Sequence, residues 1–286
     1  MTFKIKDLPN IFLETFNLWI AKDPFNLSAI LAYYSILSLP ALLILIIDLV
    51  GGIWGREIVQ GRLTDEMSIA FGVDTAKFIQ EMMTDKGDKS TSLIANTLGI
   101  GTLLYGATGV FYQLQNALDK IWNFKPSYTN GVLATLIGRL KSFGFILIFG
   151  FLLLISLVLT SGLSAFSERI NRLLPDGFLE LAYMFDVLIS LSFIYFLFAA
   201  MFKFLPSSRV RWKAVKSGAA LTAILFVLGK YALSFYFAKA EPGSTYGAAG
   251  SVILVMLWVS YTSLILLFGA QFTKVYSDKY GISETS

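Results

Sequence analysis

The 286-residue chain contains no cysteine and no histidine. Disulfides, thiolate nucleophiles, zinc sites and imidazole general bases are therefore excluded from its chemistry. Charged residues make up only 15% of the chain, and no acidic motif is clustered outside its apolar segments. We expect no catalytic site, no metal and no cofactor, and the small net charge of +4 predicts no nucleic-acid partner.

Hydrophobic residues, by contrast, make up 56% of the chain and give it a mean hydropathy of +0.68. A hydrocarbon core about 30 Å thick takes roughly 20 mostly apolar residues in helical form. Six such segments are present, at 28–50, 92–115, 134–163, 178–202, 212–238 and 247–275. The sequence therefore predicts an all-α integral membrane bundle of six transmembrane helices, with the lipid bilayer as its main partner.

Two stretches outside these segments are amphipathic. Residues 1–27 form an arm in which apolar residues of 11–20 recur at helical spacing, which predicts a helix lying in the membrane interface. Residues 51–91 form the longest connection, for which we expect short amphipathic helices on the outer surface. The domain organisation expected is thus an arm (1–27), a transmembrane domain (28–275) and a tail (276–286).

The distribution of Lys and Arg predicts an orientation. The arm, the second and fourth connections and the tail carry 14 of these residues, with Arg139 and Lys141 counted in the second connection and Lys274 with the tail, and the connections on the other side carry 8. Basic residues favour the cytoplasmic side, so both termini are expected there. The fourth connection could also contact anionic lipid head groups, and the alternative is that it only sets the topology. Its basic residues are Lys203, Arg209, Arg211, Lys213 and Lys216.

Polar groups inside hydrocarbon are costly, so each one needs a reason. Asp186 and Lys230 lie well inside the fourth and fifth segments and are the candidates for a coupling or gating pair. The alternative is that Lys230 extends to an interface while Asp186 lies near a helix end.

The second segment and the residues just after it are unusually polar. They carry the amides of Asn96, Gln113, Gln115 and Asn116, so this helix should face the interior of the bundle. A further amide, Gln271, lies in the sixth segment. Such amides either bond helices to one another or line a substrate path.

Small residues and one proline mark positions where helix backbones approach closely or bend. Pro40, in the first segment, frees a backbone carbonyl and predicts a kink. Two similar stretches, YGATG and YGAAG, permit close packing or a helix break. Their glycines are Gly106, Gly109, Gly247 and Gly250.

Three motifs in this order resemble the YihY/BrkB family of bacterial inner-membrane proteins, historically labelled ribonuclease BN. They are LAYYSILSLP (31–40), LLYGATGVFYQLQNALDKIW (103–122) and YGAAGSVILVMLWVSYTSLILLFGAQFTKVY (246–276). The resemblance covers nearly the whole chain and implies a six-helix inner-membrane protein without a settled biochemical activity. Family members commonly have Glu where this chain has Gln271 and Asn where it has Asp119, which puts in doubt any ion coupling at Gln271.

Two functions follow from these features. The first is a transporter-like protein that passes a small solute, ion or lipid. The alternative is a non-transporting membrane scaffold or envelope factor, in which the amides and glycines only pack helices. A ribonuclease is not expected, because a metal-dependent nuclease of the type once confused with this family needs histidines. The sequence leaves open whether the chain forms a homo-oligomer.

Overall fold

The computed structural model describes residues 7–71, 73–84, 101–124, 137–140, 142–148, 179–208, 210–240 and 249–280. The described regular structure is helical, with no strand in these ranges. Among the described residues, the eight longest helices are α1 (Leu8–Ile20), α2 (Pro24–Trp54), α3 (Arg56–Phe71), α4 (Val73–Thr84), α5 (Gly109–Ile121), α6 (Leu179–Phe204), α7 (Trp212–Ala240) and α8 (Gly250–Lys279). Shorter helical stretches cover 101–107, 137–140 and 142–148.

Three of the described helices are long and apolar enough to cross a membrane. They are α2 with 31 residues, the first 26 residues of α7, and α8 with 30 residues. Helix α6 has 26 residues, and its described apolar stretch is Leu191–Phe204. The predicted count of six spans is therefore not confirmed and stays a prediction. The third predicted segment, 134–163, lies mostly outside the described residues, and the second is described only from residue 101.

The boundaries of α2 follow from residues with special backbone geometry. Asp23 has a φ of 57° and Pro24 occupies the first turn, where a missing N–H costs no helical hydrogen bond. Gly55, with a φ of 98°, ends the helix. Between these ends, the helix continues through Pro40. The kink expected at Pro40 stays a prediction.

Helix α8 is the centre of the bundle. It packs against α1, α2, α5 and α7, and its beginning also contacts α3 and α4. The main core cluster includes Phe111 and Leu118 of α5, Phe202 of α6 and Leu267 of α8. Helices α6 and α7 pack against each other, joined by the connection 205–211.

Helices α3 and α4 form from the long connection after α2. Their buried residues Val59 and Ile79 pack against the last turns of α2, together with Val255 at the beginning of α8. Arg56 makes a salt bridge with Asp48 of α2. These helices therefore cover one end of the α2–α8 pair, and their placement on the membrane surface stays a prediction.

Helix α1 packs against the last turns of α8, at the opposite end. Ile11 is fully buried there, and the ring of Trp19 meets the ring of Phe268 edge-on at 5.7 Å between centroids. Leu13 and Phe16 remain exposed. One apolar face is thus used for packing while other apolar residues stay uncovered, and the interfacial location of α1 stays a prediction.

Candidate functional site

A row of polar side chains follows one face of α5. Thr108, Tyr112, Gln115 and Asp119 are spaced by four, three and four residues, which places them above one another on a helix of 3.6 residues per turn. The row is about 16 Å long at 1.5 Å per residue. Thr108, Gln115 and Asp119 are all buried. We call these four residues the α5 polar stripe.

The lower end of the stripe bonds to the connection between α6 and α7. Asp119 accepts hydrogen bonds from the backbone N–H of Ser207 (2.7 Å) and from its hydroxyl (2.8 Å). Gln115 donates its amide to the same hydroxyl at 3.0 Å, while the amide oxygen of Gln115 is buried with no partner among the described residues. The stripe thus holds residues 205–208 against the bundle.

Two lysines bond near the end of α5. Lys274 of α8 donates to the carbonyl of Ile121 at 3.2 Å, and Lys22, between α1 and α2, donates to the side chain of Asn123. Cations stabilise the carbonyl end of a helix, so these contacts fit the local dipole. They bring the arm, the end of α5 and the end of α8 to the same end of the bundle.

The upper end of the stripe surrounds Arg139. Its guanidinium donates to the backbone carbonyl of Tyr105 (2.8 Å) and to the hydroxyl of Thr108 (3.2 Å). Its central carbon lies 4.0 Å from the ring centre of Tyr105 and 5.1 Å from that of Tyr112. Within the described part of the chain, no carboxylate forms an ion pair with Arg139. Its Nε is buried without a partner among the same residues.

Two glycines allow this close arrangement. A Cβ on Gly109 would lie 2.7 Å from the hydroxyl of Ser38, and one on Gly138 would lie 2.6 Å from the ring of Tyr112. Ser38 is near the middle of the 31-residue α2. Because a Cβ on Gly109 would also lie 3.7 Å from the Arg139 guanidinium, this cation lies near the middle of α2.

The structure separates the predicted amides. Gln113 and Asn116 bond to each other at 3.5 Å on another face of α5, where Asn116 is exposed. Gln271 is 1% exposed in α8, and its amide oxygen has no partner among the described residues. Asn96 lies outside the described residues. The amide that faces the interior of the bundle in α5 is therefore Gln115.

The predicted pair of Asp186 and Lys230 is not tested. Asp186 belongs to α6, whose side chains are described at Leu188 and from 191 onward. Lys230 lines a groove between α7 and α8, beside Trp258 and Tyr261, and no described carboxylate forms an ion pair with it. Helix α6 packs against α7, so the two residues belong to neighbouring helices. Their pairing stays a prediction.

Three of the four glycines predicted to allow close packing lie in the described residues. Gly109 meets α2 tightly, and a Cβ on Gly106 would make an ordinary contact with Ala41 of α2 at 3.4 Å. Gly250 is buried at the start of α8, and Gly247 lies outside the described residues. The YGATG stretch therefore brings its helix against the segment that contains Pro40.

The predicted head-group contacts divide into two groups. Lys203 donates to the carbonyl of Val210 at 2.6 Å and lies 5.7 Å from the ring centre of Trp212, so it ties the connection together. Arg209 lies outside the described residues. The remaining three, Arg211, Lys213 and Lys216, are exposed. Contact of these residues with anionic lipid stays a prediction.

A reciprocal contact between α7 and α8 was not anticipated from the sequence. A Cβ on Gly218 would overlap the hydroxyl of Thr273, and a Cβ on Gly269 would overlap the hydroxyl of Thr222. Each threonine donates to the carbonyl of the glycine four residues earlier, at 2.7 Å. The two Gly-x-x-x-Thr segments therefore pack backbone to backbone with their hydroxyls satisfied.

The long apolar helices and the polar centre between them define a polytopic membrane protein. The family model for virulence factor BrkB matches residues 16–286, and the chain belongs to this family. It is 27% identical to a UPF0761 membrane protein of Mannheimia succiniciproducens, over 75% of this chain and 69% of the relative. It is 24% identical to one of Vibrio parahaemolyticus, over 93% and 82%. No solved structure matches the chain.

Arg139, Ser207 and Asp119 are the site residues that sequence reasoning missed. Arg139 was counted among connection charges although it lies inside the apolar stretch 134–163. A charged residue inside an apolar stretch was the signal by which sequence analysis could have identified Arg139. For Asp119 the signal was its helical spacing from Thr108 and Gln115, whereas nothing in the sequence points to Ser207.

Proposed function

We propose that the chain is a transporter-like protein in which the α5 polar stripe lines part of the path of a small solute, ion or lipid. The observation behind the proposal is a buried polar row that runs from beside the middle of α2 to one end of the bundle. A path across hydrocarbon needs such groups, because apolar walls give a polar solute nothing to replace its hydration.

Two unpartnered atoms favour a path over simple helix bonding. Polar groups that only join helices are satisfied by one another, as Asp119 and Ser207 are. The amide oxygen of Gln115, within the stripe, and the Nε of Arg139, beside its Thr108 end, are buried without described partners. Water or a solute on the path would supply the missing hydrogen bonds.

For the orientation, we propose that the end formed by α1, the connection 205–211 and the end of α8 faces the cytoplasm. The contacts of Lys22, Lys274 and Ser207 gather these segments. Exposed Arg211, Lys213 and Lys216 lie on or next to this connection. The positive-inside rule then places both termini on the cytoplasmic side of a bacterial inner membrane.

The second candidate is a non-transporting scaffold, which is favoured by the reciprocal contact of Gly218 with Thr273. There, polar side chains serve packing alone and their hydroxyls are internally satisfied. In that case the stripe would also be structural. Neither candidate is an enzyme.

Reconstitution in liposomes tests the proposal. Dye-reported ion exchange and fluorescent-lipid scrambling are measured against empty vesicles, for the wild type, Gln115→Leu and Gln113→Leu. Gln113 is the matched control, because it is the same residue type on another face of the same helix. We expect activity in one assay that Gln115→Leu reduces at least about tenfold and Gln113→Leu leaves unchanged. Silence of the wild type in both assays favours the scaffold.

A further inference from the structure

We infer that Arg139 is the binding site for an oxyanion, a carboxylate or phosphate group, on the proposed path. The inference rests on the proposed function, because it names the substrate class of the same site.

The position makes an uncompensated charge costly. Arginine stays protonated in proteins, and Arg139 lies beside Ser38 near the middle of α2, with no described carboxylate in an ion pair. A cation that served only to join helices would be expected to have a carboxylate partner at this depth. An anionic ligand would supply the missing charge.

The partners of Arg139 leave donors available. A guanidinium has five N–H groups, and the two described hydrogen bonds both leave from one terminal nitrogen, Nη1. Both acceptors are neutral. The fork formed by Nε and the other terminal nitrogen has no described acceptor, and such a fork matches the two oxygens of a carboxylate or phosphate.

The surroundings orient this fork. Tyr105 and Tyr112 hold the guanidinium through their ring faces, and these contacts leave the edge of its plane for hydrogen bonding. Gly109 lies between Ser38 of α2 and the guanidinium, and Gly138 brings the stretch 137–140 against the ring of Tyr112. Tyr105 itself is 65% exposed.

The experiment measures binding to the purified full chain. Sodium phosphate and sodium glutamate are titrated at constant ionic strength into the wild type, Arg139→Gln and Arg62→Gln in detergent. Arg62 is the matched control, because it is an exposed arginine on α3, away from Arg139 and from the predicted head-group contacts. We expect saturable binding of at least one salt, weakened at least about tenfold in Arg139→Gln and unchanged within about twofold in Arg62→Gln.

A second arm distinguishes a free solute from a lipid head group. The same proteins are placed in nanodiscs of phosphatidylcholine with or without phosphatidylglycerol, and the bound lipid is counted by native mass spectrometry. Retention of phosphatidylglycerol that depends on Arg139, without binding of either salt, assigns the oxyanion to a lipid. Absence of Arg139-dependent binding in both arms overturns the inference.

Folding and transport are separated from binding in two further measurements. If Arg139→Gln elutes as aggregate, the wild type is labelled with phenylglyoxal, which modifies arginine, with and without the oxyanion. Protection of Arg139 by the oxyanion supports the site, and unchanged labelling of Arg139 overturns it.

Oxyanion binding without flux supports the site and contradicts the proposed function. Flux without Arg139-dependent binding retains the proposed function and overturns this inference.

Discussion

Asp119 of α5 accepts both the backbone N–H and the hydroxyl of Ser207, at 2.7 and 2.8 Å. The two residues are 88 positions apart in sequence. Together with the Gln115 amide on the same hydroxyl, this pair fixes the connection between α6 and α7 to the end of the polar stripe. The path proposed above therefore ends at a hydrogen-bonded contact between a helix and a connection.

Replacing Asp119 tests this contact. Asn retains one oxygen for the Ser207 N–H, and its amide can donate to the Ser207 hydroxyl, so Asp119→Asn should cost less than about 1 kcal/mol of unfolding free energy. This tolerance agrees with the Asn that the family resemblance implies at this position. Asp119→Ala leaves the Ser207 groups without these partners and should cost about 1–3 kcal/mol. SDS titration of the solubilised protein measures both.

The control for this series is Asp65→Ala, which removes an exposed carboxylate of α3 and should change stability by less than about 0.5 kcal/mol. Equal loss in Asp119→Asn and Asp119→Ala would mean that the negative charge, and not the geometry of acceptor and donor, holds the connection.

Gly218 and Gly269 provide a second prediction, on packing. A methyl group at Gly218 would overlap Thr273, so Gly218→Ala should push α7 from α8 and cost about 1–3 kcal/mol. Gly61→Ala is the control, because a Cβ there meets nothing within 4 Å and alanine is the better helix former. We expect Gly61→Ala to be neutral or stabilising by up to about 1 kcal/mol. A neutral Gly218→Ala would contradict the close approach of the two helices.

Hydropathy predicted the long helices well and their ends less well. The predicted segments 28–50 and 247–275 correspond to α2 (Pro24–Trp54) and α8 (Gly250–Lys279). The lengths of the predicted segments follow from the thickness of the bilayer, because this thickness sets how many consecutive apolar residues a spanning helix needs. The helices run past the apolar residues, because backbone hydrogen bonding continues through polar residues such as Lys279.

The site was less accessible to sequence reasoning, for a physical reason. Hydropathy and charge counts report where a residue lies along the chain, not which way its side chain points. Arg139 was assigned to a connection by its charge, yet the glycines at 109 and 138 bring its guanidinium beside the middle of α2. Ser207 enters the site only because the connection 205–211 folds back on α5, and such a contact between distant residues leaves no local pattern.

The sequence-based pair of Asp186 and Lys230 is testable by a double-mutant cycle. Each belongs to one of two packed helices, α6 and α7, and Lys230 has no described carboxylate in an ion pair. We expect Asp186→Leu and Lys230→Leu each to destabilise the protein, and the double variant to lose at least about 1 kcal/mol less than their sum. Additive losses would mean that the two charges do not meet.

The orientation of the bundle can be tested directly, because a chain without cysteine accepts single reporter cysteines with no background labelling. Lys213 and Lys77 are both exposed lysines, the first beside the connection 205–211 and the second on α4 at the opposite end. If the positive-inside rule sets the orientation, Lys77→Cys should react with a membrane-impermeant maleimide added to spheroplasts. Lys213→Cys should react only after the membrane is opened with detergent. The reverse pattern would place both termini outside the cytoplasm. Reaction of both variants in intact spheroplasts would show that the two ends of the bundle do not lie on opposite sides of the bilayer.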